Sequence, residues 1–132
     1  MAADETMTVS TLNYPDNYTN SEKCFFGFIC TTKNTKLNMT FDTFNVESSA
    51  NCSKDMAVVY DGNRVDSPVM GKLCGPKSGL GRTAFRASSS KMLLRFHTDA
   101  TVTDKGFQVT VSCPGKSHIF EFVVTITFFV TN

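Results

Sequence analysis

The chain has 132 residues, enough for one domain with a core and too few for two ordinary ones. Hydrophobic residues make up 41% and charged residues 19%, which excludes a disordered chain, and a net charge of +1 gives no global drive toward nucleic acid or an anionic membrane. Five cysteines contain no CxxC pair, and His97 and His118 complete no zinc pattern, so structural disulfides and an oxidising compartment are the simpler reading.

Residues 1–9 are polar and read as a frayed terminus. They carry no basic n-region and no apolar h-region, so no signal peptide is visible. The expectation is a piece of a longer secreted or membrane-bound protein. Three Asn-x-Ser/Thr sequons support that compartment: Asn17, Asn38 and Asn51. Asn17 and Asn38 are the candidate glycosylation sites, because Asn51 sits beside Cys52 and becomes a poor acceptor once that cysteine is bonded.

Residues 12–18 are turn chemistry around Pro15, Asp16 and Asn17. Cys24, Phe26, Phe28 and Cys30 then share one parity, so all four face inward from one strand. Along an extended strand those two cysteines lie roughly 20 Å apart, too far to bond each other. A turn over 31–34 follows, and Leu37, Met39 and Phe41 alternate against Asn38, Thr40 and Asp42. Met56, Val58 and Tyr60 alternate again and lead into Asp61-Gly62, a hairpin-turn signal. Residues 68–73 are a short strand, 75–81 a Gly-rich loop and 83–86 a weak strand. Met92, Leu94 and Phe96 mark an inward face, 98–105 is a polar loop, and Phe107, Val109, Val111 and Cys113 close the series.

No window shows sustained helical periodicity, and many short strands at even spacing predict an all-β, antiparallel two-sheet sandwich. Residues 114–132 form an apolar, β-prone tail too short for the roughly 20 residues of a membrane span. It is one more strand, the start of a following domain, or an aggregation-prone segment. Between two of the strands, residues 42–55 crowd the carboxylates of Asp42, Glu47 and Asp55. Such a loop repels itself unless a hard cation such as Ca²⁺, or solvent alone, relieves it.

Read in order, Asn13-Tyr-Pro-Asp-Asn-Tyr18, Cys24 with its alternating aromatics, Phe41-Asp-Thr-Phe-Asn-Val-Glu47, Cys52-Ser-Lys-Asp55, Val59-Tyr-Asp-Gly62, Gly71-Lys-Leu-Cys-Gly75, Leu94-Arg-Phe-His-Thr-Asp99 and Lys105-Gly-Phe107 resemble a CUB domain. The match covers about residues 10–113. It implies an extracellular antiparallel sandwich of jelly-roll-like topology that binds proteins, and in some members glycans, rather than catalysing a reaction. It also implies Ca²⁺ ligands at Glu47, Asp55 and Asp99, a further ligand from the backbone carbonyl of Thr101, and Tyr18 orienting the Glu. A partner's basic side chain is expected to meet a patch of Tyr18, Glu47 and Asp99, with an exposed His97 beside it.

The resemblance further implies a Cys52–Cys74 disulfide. Cys24 pairs in the family with a cysteine nearer the N-terminus, and this sequence has none before it, so either the piece begins after that residue or Cys24 pairs elsewhere. Cys30–Cys113 and Cys24–Cys113 both stay open, and one thiol is left over. Asp42 matches no ligand position. The rival readings are a metal-free spacer without a ligand of its own and a glycan-binding, spermadhesin-like domain. An enzyme is not expected, because no nucleophile elbow, HExxH or Gly-rich phosphate loop is present.

Overall fold

The computed structural model describes residues 5–32 and 35–114 and the backbone of 119–128. Over these residues the alternation of apolar and polar side chains becomes ten strands: β1 (Glu5–Ser10), β2 (Glu22–Cys30), β3 (Asn38–Val46), β4 (Met56–Tyr60), β5 (Val69–Leu73), β6 (Gly75–Pro76), β7 (Ala84–Arg86), β8 (Lys91–His97), β9 (Gly106–Cys113) and β10 (Ile119–Phe128). One sheet runs β1-β9-β3, with β6 and β7 both pairing along the far side of β3. The other runs β10-β2-β8-β4-β5. Every pairing is antiparallel. The expected all-β sandwich is the observed fold.

The largest share of its core comes from alternate residues of four strands. Cys24, Phe26, Phe28 and Cys30 of β2 and Met92, Leu94 and Phe96 of β8 meet Met39 and Phe41 of β3 and Phe107, Val109, Val111 and Cys113 of β9. Phe107 packs edge-on against Phe41 at 5.5 Å and against Phe96 at 5.2 Å, joining the two sheets through rings. Each such buried ring contributes roughly 1.5–3 kcal/mol of transfer free energy. The β3–β9 register shifts between Phe41 and Thr43, leaving both Asp42 and Thr43 exposed. This bulge changes the parity of β3, so Phe44 and Val46 rejoin the core.

The structure departs from the sequence reading in three places. Residues 5–10, expected to fray with the terminus, form β1 and pair with β9 from Glu5↔Cys113 to Ser10↔Gln108. The edge of β9 offers donors and acceptors that need partners, and Met7 and Val9 pack on the core while Thr6 and Thr8 stay exposed. In β4 it is Ala57 and Val59 that enter the main core, whereas Val58 and Tyr60 join Leu93 on the outer face of the sheet. The turn expected at Asp61-Gly62 is the start of a longer connection, closed where the Asp61 N–H donates to the Pro68 carbonyl at 2.8 Å.

In the tail, β10 pairs antiparallel along β2, from Ile119↔Cys30 to Phe128↔Glu22, which selects the reading of one more strand. Residues 115–118 and 129–132, and positions 33 and 34 of the expected 31–34 turn, lie outside the described residues. Cys30 bonds Cys113, Cys52 bonds Cys74, and Cys24 stays a buried thiol.

Candidate metal centre

Four connections meet at one end of the sandwich. Tyr18 lies between β1 and β2, Glu47 directly follows β3, Asp55 directly precedes β4, and Asp99 follows β8. Sequence-local devices hold each in place. Thr11 exchanges hydrogen bonds with Phe107: its N–H donates to the Phe107 carbonyl at 3.1 Å, and its Oγ1 accepts the Phe107 N–H at 3.2 Å. This close approach requires Gly106, which sits at φ 85° with Thr11 Oγ1 only 2.0 Å from where a Cβ would stand. The Tyr18 N–H donates to the Asp104 carbonyl at 3.0 Å.

Thr98 is buried and ties the end of β8 to the start of β2. Its Oγ1 accepts from the Glu22 N–H at 2.7 Å and donates to the Thr19 carbonyl at 2.9 Å. The Ser21 N–H then donates to the Asp99 carbonyl at 2.7 Å. The Cys52–Cys74 bond fastens the loop between Glu47 and Asp55 to the residue after β5. Ser21, Asn51, Cys52 and Val102, all in segments that carry these residues, adopt positive φ of 55°, 56°, 49° and 62°. Backbone in this region costs a non-glycine residue of order 1–3 kcal/mol and concentrates at functional sites.

The three carboxylates the sequence singled out are brought together. Glu47, Asp55 and Asp99 each offer an oxygen, and these oxygens lie within 4.8 Å of one another. Asp55 is fully buried. Its Oδ2 accepts the Tyr18 hydroxyl at 2.6 Å, and its Oδ1 accepts the Asp99 N–H at 2.8 Å. The Tyr18 oxygen in turn accepts the Glu47 N–H at 3.1 Å, and the Thr101 N–H donates to Asp99 Oδ1 at 3.3 Å. Burial pushes the Asp55 carboxyl up to about 6; the donors from Tyr18 and Asp99 oppose the rise, and the Asp99 carboxylate adds to it. Burial, then the bond to Asp55, also raises the Tyr18 phenol, so it remains a neutral donor.

Glu47 Oε1 is buried and has no hydrogen-bond partner. A carboxylate oxygen left this way beside two more carboxylates is costly unless a cation completes it. The spacing fits Ca²⁺: oxygens bound to one such ion at about 2.3–2.6 Å lie at most about 5 Å apart.

Other expected site residues are placed differently. Tyr18, read as partner-facing, is 2% exposed, with its ring edge-on to Phe96 at 5.0 Å; it positions Asp55 and offers little surface. His97, expected to be exposed, is half-buried with an unpartnered Nδ1, and burial followed by the charges of Arg95 and Lys23 lowers its pKa. Thr101 is exposed in the loop after β8. Asp42 lies away from the carboxylate cluster, accepting from Thr110 Oγ1 at 2.5 Å. Asn17 is exposed and its amide donates to Thr103 Oγ1 at 3.1 Å, while Asn38 is half-buried in β3, in register with Arg86 and Ser112. Thr98, Ser21 and the Thr11–Gly106 contact were not singled out from the sequence. Among them only the glycine that opens β9 is a local signal.

The family model of the CUB domain matches residues 2–111. Human Tolloid-like protein 2 is 35% identical over 111 residues, and human cubilin 31% identical over 119 residues. These alignments cover 83% and 86% of this chain but only 10% and 3% of the relatives, so the chain spans a small part of either. Among solved structures, the CUB1-EGF-CUB2 domain of human MASP-1/3 has a TM-score of 0.71 at 22% identity, covering 82% of this chain and 41% of that one. The MASP-1 CUB2 domain bound to Ca²⁺ has a TM-score of 0.67 at 22% identity, covering 80% and 90%.

Proposed function

This chain belongs to the CUB domain family, and from that premise we propose that it is an extracellular protein-recognition module stabilised by Ca²⁺ between Glu47, Asp55 and Asp99. The CUB domain is a non-catalytic module, so the chemistry to explain is binding. Among the described residues no helix is long and apolar enough to cross a membrane. The observation that carries the reading is the buried, unpartnered Glu47 Oε1 beside Asp55 and Asp99.

Bound Ca²⁺ supplies the positive charge that lets three carboxylates share this space. Asp55, held on both oxygens, is the fixed wall of the cage. Tyr18 keeps that wall in place and holds the Glu47 backbone through the same hydroxyl. The Thr101 carbonyl is the candidate fourth ligand from the protein. Asp99, half-buried, and the rim of Glu47 carry the charge that receives a basic side chain of an extracellular protein.

Thermal unfolding with CaCl₂ and with chelator tests this. Ligand at 100 times its Kd stabilises by about 2.7 kcal/mol, and Glu47→Gln, which keeps the shape and removes the charge, is expected to abolish that gain. A wild-type chain that melts identically in both solutions overturns the calcium reading. A lysine-bearing peptide should then shift the amides of residues 47 and 99 only when calcium is present. Shifts confined to other residues move the partner site elsewhere.

A further inference from the structure

The outer face of the β10-β2-β8-β4-β5 sheet carries segregated charge. Lys23, Lys72, Lys91 and Arg95 all project from it: Lys23 pairs in register with His97, Phe25 with Arg95, Arg95 with Val58, and Val58 with Lys72. The four strands β2, β8, β4 and β5 contain one carboxylate, Glu22, and it is 2% exposed on the opposite, core-facing side. Glu121 of β10 is in register with Phe28 of β2. The Arg64–Asp66 pair lies beyond the far end of these strands, and at the other end Asp99 follows His97, the register partner of Lys23. A chain of net charge +1 therefore presents four cations, and no carboxylate of those four strands, on one face.

The apolar residues of this face are buried or half-buried except Val69, which pairs in register with Tyr60 and is 60% exposed. Val58, Tyr60 and Leu93 are 5%, 5% and 2% exposed, with Phe25 and Met56 packed against them. Long basic stems lie across apolar neighbours and keep their charged ends in water. A protein partner finds its anchor in a dry apolar or aromatic pocket, and this band offers none. Two clefts among the described residues lie elsewhere, one along β3 with Tyr14 and Lys105, the other between 10–14 and the core side of β2. A linear polyanion needs only spaced cations on an open surface, since its affinity comes from displacing its own counterions.

We infer that this sheet face binds a sulfated glycosaminoglycan chain. The inference does not rest on the calcium site. Its test is retention of the full chain on immobilised heparin in CaCl₂ at physiological salt. Wild type should be retained and eluted by added NaCl. Lys72→Ala/Lys91→Ala removes two exposed cations of the face and should weaken binding about 25-fold, taking about five-fold per basic side chain at an anionic surface. Arg86→Ala/Lys105→Ala, two exposed cations outside that face, should elute with wild type. Both variants should keep the wild-type melting temperature, and Arg95→Gln gives a second reading if the first pair does not fold. Wild type in the flow-through overturns the inference, as does equal weakening by the two double variants. Displacement by polyglutamate as effective as by heparin also overturns it, in favour of an acidic protein.

Discussion

At one end of the sandwich Cys30 and Cys113 join β2 to β9, and so one sheet to the other, by a covalent bond. At the opposite end the sheets meet through charge: Glu47 leaves β3 of the first sheet, while Asp55 enters β4 and Asp99 leaves β8 of the second. The disulfide end is closed whether or not a cation is present. The carboxylate end repels itself when empty and becomes a second inter-sheet clasp when a cation enters. On the proposed calcium reading, closure by charge would leave one end responsive to calcium and pH, beside the surface proposed to meet a partner.

Breaking the covalent end should have the largest effect. Replacing Cys30 and Cys113 together by alanine opens a loop with a sequence separation of 83 and should cost about 4 kcal/mol in denaturant unfolding. The gain in stability on adding calcium should survive this change. Loss of the calcium response with the disulfide would mean the two ends are coupled rather than independent.

A change of pH sharpens the charged end. In chelator, the folded Asp55 carboxyl titrates at about 6 against an ordinary value of 3.8. Its contribution to stability is therefore fully present below about pH 4 and lost as pH rises through about 6, a change on the order of 3 kcal/mol. Glu22, raised by burial, acts in the same direction. With calcium the trend reverses, because the ligand is the ionised form. Asp55→Asn should flatten the chelator profile, and an unchanged slope in that variant would assign the effect to other groups.

The smallest effect expected is that of Tyr18→Phe, which removes the bonds of its hydroxyl to the buried Asp55 carboxylate and the Glu47 N–H, about 2 kcal/mol. Calorimetric titration should show weakened calcium binding, not its loss. Unchanged affinity would reduce Tyr18 to a core ring.

Strands β2, β3, β8 and β9 were legible because each has one face in the core, so their alternation is a direct record of burial. The parity of β4 was not, since Val58 and Tyr60 on its outer face are nearly as buried as Ala57 and Val59. β1 carries its own alternation in Met7 and Val9, but the polar residues between them hid it, and only the open edge of β9 gives the segment a place. For the site, Glu47, Asp55 and Asp99 were legible through the ordered motifs around them. The burial of Tyr18 and the tie made by Thr98 were not, because both depend on connections more than 70 residues apart in sequence closing on one another.

Cys24 gives the two disulfides a particular kinetic setting. Buried, and with Glu22 adding to the effect of burial, its thiol is pushed up to about 12. At pH 7 only about one molecule in 10⁵ then carries the thiolate that attacks a disulfide, against about three in a hundred for an ordinary cysteine. Shuffling of Cys30–Cys113 or Cys52–Cys74 by this sulfur is thus suppressed while the sandwich is intact. The fifth cysteine becomes a competitor for pairing only before folding is complete, so the order in which the chain oxidises and packs decides whether the native pairs form.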